Sequence, residues 1–144
     1  MHVLVDTNVI LDLILRREGG KDALTFFAWC RKHRNKTFVT SMSMRDIEYV
    51  AMRSLHDKRK ANAVLSDVYS LCTKVIGVSA DAAINAVYED YKDYEDELLI
   101  QTAKEHSLDA IVTNNAKDFA GRGISVFAPK EIMNAVSFAN LNER

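Results

Sequence analysis

Four carboxylates, Asp6, Glu48, Asp96 and Asp118, come from separate parts of this 144-residue chain, two beyond apparent strand ends and two on helical stretches. Asp96 opens a segment in which Leu99, Ile100 and Ala103 recur at the spacing of one helical face, so its carboxylate shares the inward side. A buried carboxylate is costly unless something pairs with it. Acids that converge without a counter-charge either keep protons or bind a hard divalent cation, and oxygen-only ligands favour Mg2+ or Mn2+ over zinc. Such a cluster activates water and steadies the entering and leaving oxygens of a phosphodiester.

The elements that must carry these acids alternate. His2 to Val5 predicts a strand, Asp6-Thr7-Asn8 a turn, and Val9 to Leu15 a helix. Glu18 to Lys21 reads as a loop, Asp22 to Arg31 as a helix ending in the basic run RKHRNK, and Thr37 to Thr40 as a second strand. Ser43, with Asp46 three residues on, suggests a capping pair for a helix from Met44 to Leu55, where Glu48 borders the apolar stripe. Asp57 to Lys60 reads as a charged connector before a helix from Ala61 to Leu71. Val75 to Val78 predicts a strand, Ser79 a cap for a helix from Asp81 to about Tyr91, Ala110 to Val112 a strand buried on both faces, and Ile124 to Phe127 the last strand, with Pro129 at N1 of a final helix. Strands alternating with helices imply a parallel α/β sheet, whose carboxyl edge is where residues from separate strands meet. Blander roles stay open: a helix N-cap for Asp6, an exposed ion-pair partner for Glu48, and a turn cap near Phe119 to Gly123 for Asp118.

Composition sets outer bounds. A chain with 48% hydrophobic and 27% charged residues is one ordinary globular domain. Cys30 and Cys72 form no C-x-x-C, which points to a reducing, cytoplasmic setting. Asp6 and Asp12 interrupt the apolar N-terminal stretch, and no basic segment precedes it, so it reads as neither signal peptide nor membrane span. The formal net charge of −1 argues against a generic polyanion binder, but acids neutralised by a cation would leave a small basic excess compatible with nucleic acid. His2, His33, His56 and His106 show no metal or catalytic spacing.

With LVDTNVILD from Leu4 to Asp12, Glu48, EDELLIQTA from Glu95 to Ala103, and IVTNNAKDF from Ile111 to Phe119 in that order, the chain resembles the PIN-domain ribonucleases. The resemblance implies a three-layer α/β sandwich with a mostly parallel central sheet flanked by helices. It also implies RNA cleavage dependent on Mg2+ or Mn2+, often as the VapC-type toxin of a toxin–antitoxin pair, with a homodimer held inactive by a small antitoxin. By position Asp6, Glu48 and Asp96 match the family's first three acids, Asn8 the residue that steadies the first, and Thr113 a hydroxyl near the metal. Many relatives carry an acid where Asn115 stands; here Asp118 takes the role of fourth acid, Asn115 supports it, and Asp93 is peripheral. Two alternatives remain: an inactive PIN-like domain that binds RNA or protein, and another Mg2+-dependent phosphohydrolase. A haloacid-dehalogenase-like phosphatase needs a second acid where Asn8 stands, and a receiver domain needs paired acids near Asp6 that the chain lacks.

Overall fold

The computed structural model describes residues 1–89, 93–119 and 121–142. Its sheet has five strands, all parallel: β1 (His2–Val5), β2 (Lys36–Thr40), β3 (Lys74–Ile76), β4 (Ala110–Val112) and β5 (Ser125–Phe127), in the order β3-β2-β1-β4-β5. The chain leaves β1 toward β2 and β3, then returns to the other side of β1 as β4. The order therefore reverses between β1 and β4, the place where a parallel sheet opens a crevice at its carboxyl edge. Leu4 pairs with Phe38 on one side and Ile111 on the other, which fixes the register of the central strands.

Between β1 and β2 run α1 (Thr7–Ile14) and α2 (Gly20–Lys32); α3 (Ser41–Leu55) and α4 (Lys58–Leu71) precede β3; α5 (Ala80–Tyr88) and α6 (Tyr94–Glu105) precede β4; α7 (Pro129–Asn142) closes the described chain. Alternation along β1 sends Val3 and Val5 to one face and Leu4 to the other. The first face packs on Val9, Ile10, Phe26 and Ile47, the second on Leu99, Ile100, Ala103 and Phe119, giving helix, sheet and helix layers. Each fully buried aliphatic or aromatic side chain contributes about 1.5–3 kcal/mol. This is the expected sandwich, with a sheet wholly rather than mostly parallel.

Several boundaries differ from the sequence expectation, each for a local reason. Helix α3 begins at Ser41 because Thr40, not Ser43, is the N-cap: its Oγ1 accepts from the Ser43 amide at 2.9 Å. Asp46 is therefore more than a turn inside the helix and is no capping partner. The KRK run is the first turn of α4, since Asp57 Oδ1 accepts from the amides of Arg59 and Lys60 at 2.8 and 3.1 Å. Helix α2 starts at Gly20, within the stretch read as a loop. A Cβ on Gly20 would stand 2.6 Å from the Asp12 carbonyl oxygen, so glycine is what lets α2 start hard against α1. Ser79 caps α5 as expected, and Pro129 opens α7; the expected helix end at Tyr91 lies outside the described residues. The valines, leucines and isoleucines of Val9 to Leu15 and Ala61 to Leu71 pack on the core, with Leu13, Ile14, Leu15, Val64, Leu65 and Leu71 partly buried.

Candidate active site at the carboxyl edge

Asp6 stands where β1 ends, and its amide still pairs with the Val112 carbonyl at 2.9 Å. It occupies the N-cap position of α1, but its side chain makes no capping bond. The carboxylate instead turns across the sheet edge and accepts a hydrogen bond from Thr113 Oγ1 at 2.7 Å, with only 6% of the residue exposed. Burial pushes its carboxyl above the ordinary range, the Thr113 hydroxyl pulls it back, and the charge of Asp93 raises it again.

Thr113 follows β4 and is fully buried. Its hydroxyl accepts from the Asn115 amide at 3.1 Å and from Asn8 Nδ2 at 3.4 Å, and so its single proton is left for Asp6. Asn8 Oδ1 in turn accepts from the Asn114 amide at 3.2 Å, and Asn114 Nδ2 donates to Asp12 Oδ2 at 2.8 Å. Asn8 thus acts on the first acid both directly, its side chain lowering the Asp6 carboxyl, and through the threonine, and it ties the turn after β4 to α1. A Thr113→Val change leaves Asp6 a buried acceptor without that donor and is expected to cost about 1–3 kcal/mol in urea unfolding, whereas Thr113→Ser keeps most of the stability. Equal losses for both would contradict the assigned role of the hydroxyl.

The other acids come from α6, the turn after β4, and α3. Asp93 is the N-cap of α6, accepting from the amides of Glu95 and Asp96 at 2.9 and 3.4 Å. Asp96 lies half-buried in the first turn, and its carboxyl is pushed up to about 7 by burial and then by the charges of Asp93, Asp6, Glu95 and Asp118. Glu95 is raised by burial first, then by Asp46, Asp6 and Asp93. Asp118 sits exposed in a 3-10 turn, Ala116–Phe119, whose buried Phe119 anchors it.

Asp6, Asp96 and Asp118 therefore share one electrostatic field, as do two acids the sequence reading set aside. Asp93 acts on both Asp6 and Asp96, so it belongs to the group rather than to its periphery. Asp46 acts on Glu95 and lines a small cleft with Glu95, Thr40 and Val78. Glu48 is half-buried on α3, and its charge is not among those acting on Asp6, Glu95 or Asp96. Two residues on a helix point about 200° apart, so the face that turns Asp46 toward α6 turns Glu48 away. The sequence hides Asp46 because its spacing from Ser43 mimics a capping pair.

Among the described residues no three His, Cys, Asp or Glu side chains stand as a preformed metal cluster. The donor set nevertheless fits a hard cation: its members are oxygens, and the carboxyls of Asp6, Glu95 and Asp96 are raised first by burial and then by neighbouring carboxylates. The acids that would hold such an ion are Asp6, Asp96 and Asp118, with Asp46, Asp93 and Glu95 beside them.

The PIN-domain family model matches residues 2–117, most of the chain, and the protein belongs to that family. Among solved structures it is similar to a toxin–antitoxin complex from Klebsiella pneumoniae, at 26% identity over 90% of this chain and 98% of that one, with a TM-score of 0.64. VapBC2 from Rickettsia felis, bound to a promoter DNA fragment, matches at 17% identity over 89% and 98%, with a TM-score of 0.69. VapC20 from Mycobacterium tuberculosis, a toxin that cleaves the sarcin-ricin loop, matches at 16% over 83% and 95%, with a TM-score of 0.66. The last two likenesses establish the fold. No curated protein sequence matches significantly. Among the described residues no helix is long and apolar enough to cross a membrane.

Proposed function

We propose that the protein is a Mg2+- or Mn2+-dependent ribonuclease, the cytoplasmic toxin of a toxin–antitoxin pair. One observation carries the reading: at the edge where the strand order reverses, Asp6 lies buried on the Thr113 hydroxyl, and the charges of Asp93, Asp6, Glu95 and Asp118 add to the burial that raises the Asp96 carboxyl. Family membership and the likeness to toxin structures support it. Bound there, Mg2+ or Mn2+ would supply the positive charge that activates a water and stabilises the leaving oxygen of a phosphodiester. The chain's own residues do the rest. Thr113 holds Asp6 in one orientation, Asn8 and Asn115 hold Thr113, and the α6 N-terminus presents Asp96 toward the crevice.

RNA cleavage by the purified chain at millimolar Mg2+ tests the reading and chooses between the two acids of α3. Asp46→Asn is expected to slow cleavage by about 10-fold or more, and Glu48→Gln to leave it near the parent rate. The reverse order would restore Glu48 to the site, and a parent chain that cleaves no RNA would contradict the reading.

The likeness to a toxin–antitoxin complex supports a small antitoxin chain as partner, and the family resemblance alone suggests a homodimer as the assembly it covers. Ile84, Val87 and Tyr88, on one face of α5 and all more than half exposed, offer an apolar surface for it. Sedimentation at high micromolar concentration is expected to show a dimer; a monomer throughout would remove that part.

A further inference from the structure

Helix α6 carries a further carboxylate with a different fate. Glu97, next to Asp96, is 1% exposed, and a carboxylate so buried must be paired. Gln101 Nε2 donates to its Oε1 at 2.7 Å, and Arg122 Nη2 donates to its Oε2. Arg122 also reaches Glu89, the C-cap residue of α5, at 3.3 Å. It stands between Gly121 and Gly123, with φ of 77° and 76°, a left-handed backbone that glycine adopts without strain. One guanidinium therefore joins the end of α5, the first turn of α6 and the segment that follows the 3-10 turn.

Two anchors hold that segment on α6. Phe119 is fully buried among Leu99, Ile100 and Ala103, and Arg122 is bound to Glu97. Asp118 precedes the first anchor, and Asp96 precedes the residue that holds the second. A guanidinium between two carboxylates is fixed in direction as well as in place. We propose that Arg122, clamped on Glu97, is a positioning residue that fixes the 3-10 turn against α6 and so holds Asp118 beside Asp96. The effect on metal affinity rests on the cation-site reading above; the effect on the turn does not.

The test uses the full chain and two kinds of variant. Arg122→Gln leaves Glu97 without its cation, which endangers the fold. The double change Glu97→Gln with Arg122→Gln removes the charge pair together and guards against that. Without metal, the Asp118 amide, bonded to the Asn115 carbonyl at 2.9 Å, is expected to exchange its hydrogen about tenfold faster in both, while the Asp6 amide in the sheet keeps the parent rate. Calorimetric titration with Mn2+ is expected to show affinity about tenfold lower in both, and no further loss when the same changes are made on Asp118→Asn. Exchange that rises uniformly across the sheet, exchange that does not change, or Mn2+ losses equal with and without Asp118 would each overturn the proposal and leave an ion pair that only stabilises the fold. A parent chain that binds no Mn2+ would sink the cation-site reading instead, and the exchange pattern would still decide whether Arg122 positions the turn.

Discussion

Replacing Asp6 by asparagine is expected to raise the metal-free melting temperature while reducing RNA cleavage at saturating Mg2+ by at least about 100-fold, the scale of losing one charged group from a desolvated site. The two effects have one cause. Asp6 is almost fully buried, its ionised form is disfavoured by that burial, and Asp93 adds repulsion. The neutral amide removes the desolvated charge and keeps an oxygen to accept from Thr113, so the fold gains what the cation site loses. Thermal unfolding in a chelator and cleavage in Mg2+ read the two separately. A variant less stable than the parent in the chelator would show that Asp6 is better paired than the structure indicates.

The second large effect is a pH dependence that cation binding removes. Asp96 titrates at about 7 in the folded chain against an ordinary 3.8, and Asp6 and Glu95 are shifted in the same direction. A carboxyl whose folded pKa is raised keeps its proton in the native state after the unfolded chain has lost it. The part of the stability that Asp96 contributes therefore falls as pH rises from about 4 to about 7 and levels off above that. A cation that binds the ionised native form opposes this: Mg2+ at 100 times its Kd adds about 2.7 kcal/mol, and each kcal/mol moves Tm by about 3 °C in a domain of this size. The rise in Tm on adding Mg2+ should accordingly be several degrees at pH 8 and small at pH 5, where the acids hold protons. A rise equal at both pH values would mean that the ion binds elsewhere.

Where local chemistry governs, the sequence is a good guide. The strands at His2, Thr37 and Ala110 are short runs buried on both faces, and their periodicity and neighbours suffice to place them. Asp6 and Thr113 are legible as a pair because each is the first polar residue after such a run. The acid on α3 is not legible in the same way. Thr40 and Ser43 both cap helices well, and reading Ser43 as the cap gives Asp46 a capping role it does not have. Only the meeting of the N-terminal turns of α3 and α6 at the sheet edge brings Asp46 near Glu95. Asp93 has a similar history: its capping role is local and visible, whereas its reach to Asp6 depends on how α6 meets β1. The Glu97–Arg122 pair is illegible for another reason, since 25 residues and a strand separate its partners.

The most direct measurement is the cleavage of RNA by the chain purified free of other proteins, first in chelator and then with Mg2+ or Mn2+ restored, alongside Asp96→Asn. The account predicts no cleavage in chelator, recovery with either ion, and little activity for Asp96→Asn under all conditions. Cleavage at the same rate in chelator, or an Asp96→Asn chain as active as the parent, would contradict it.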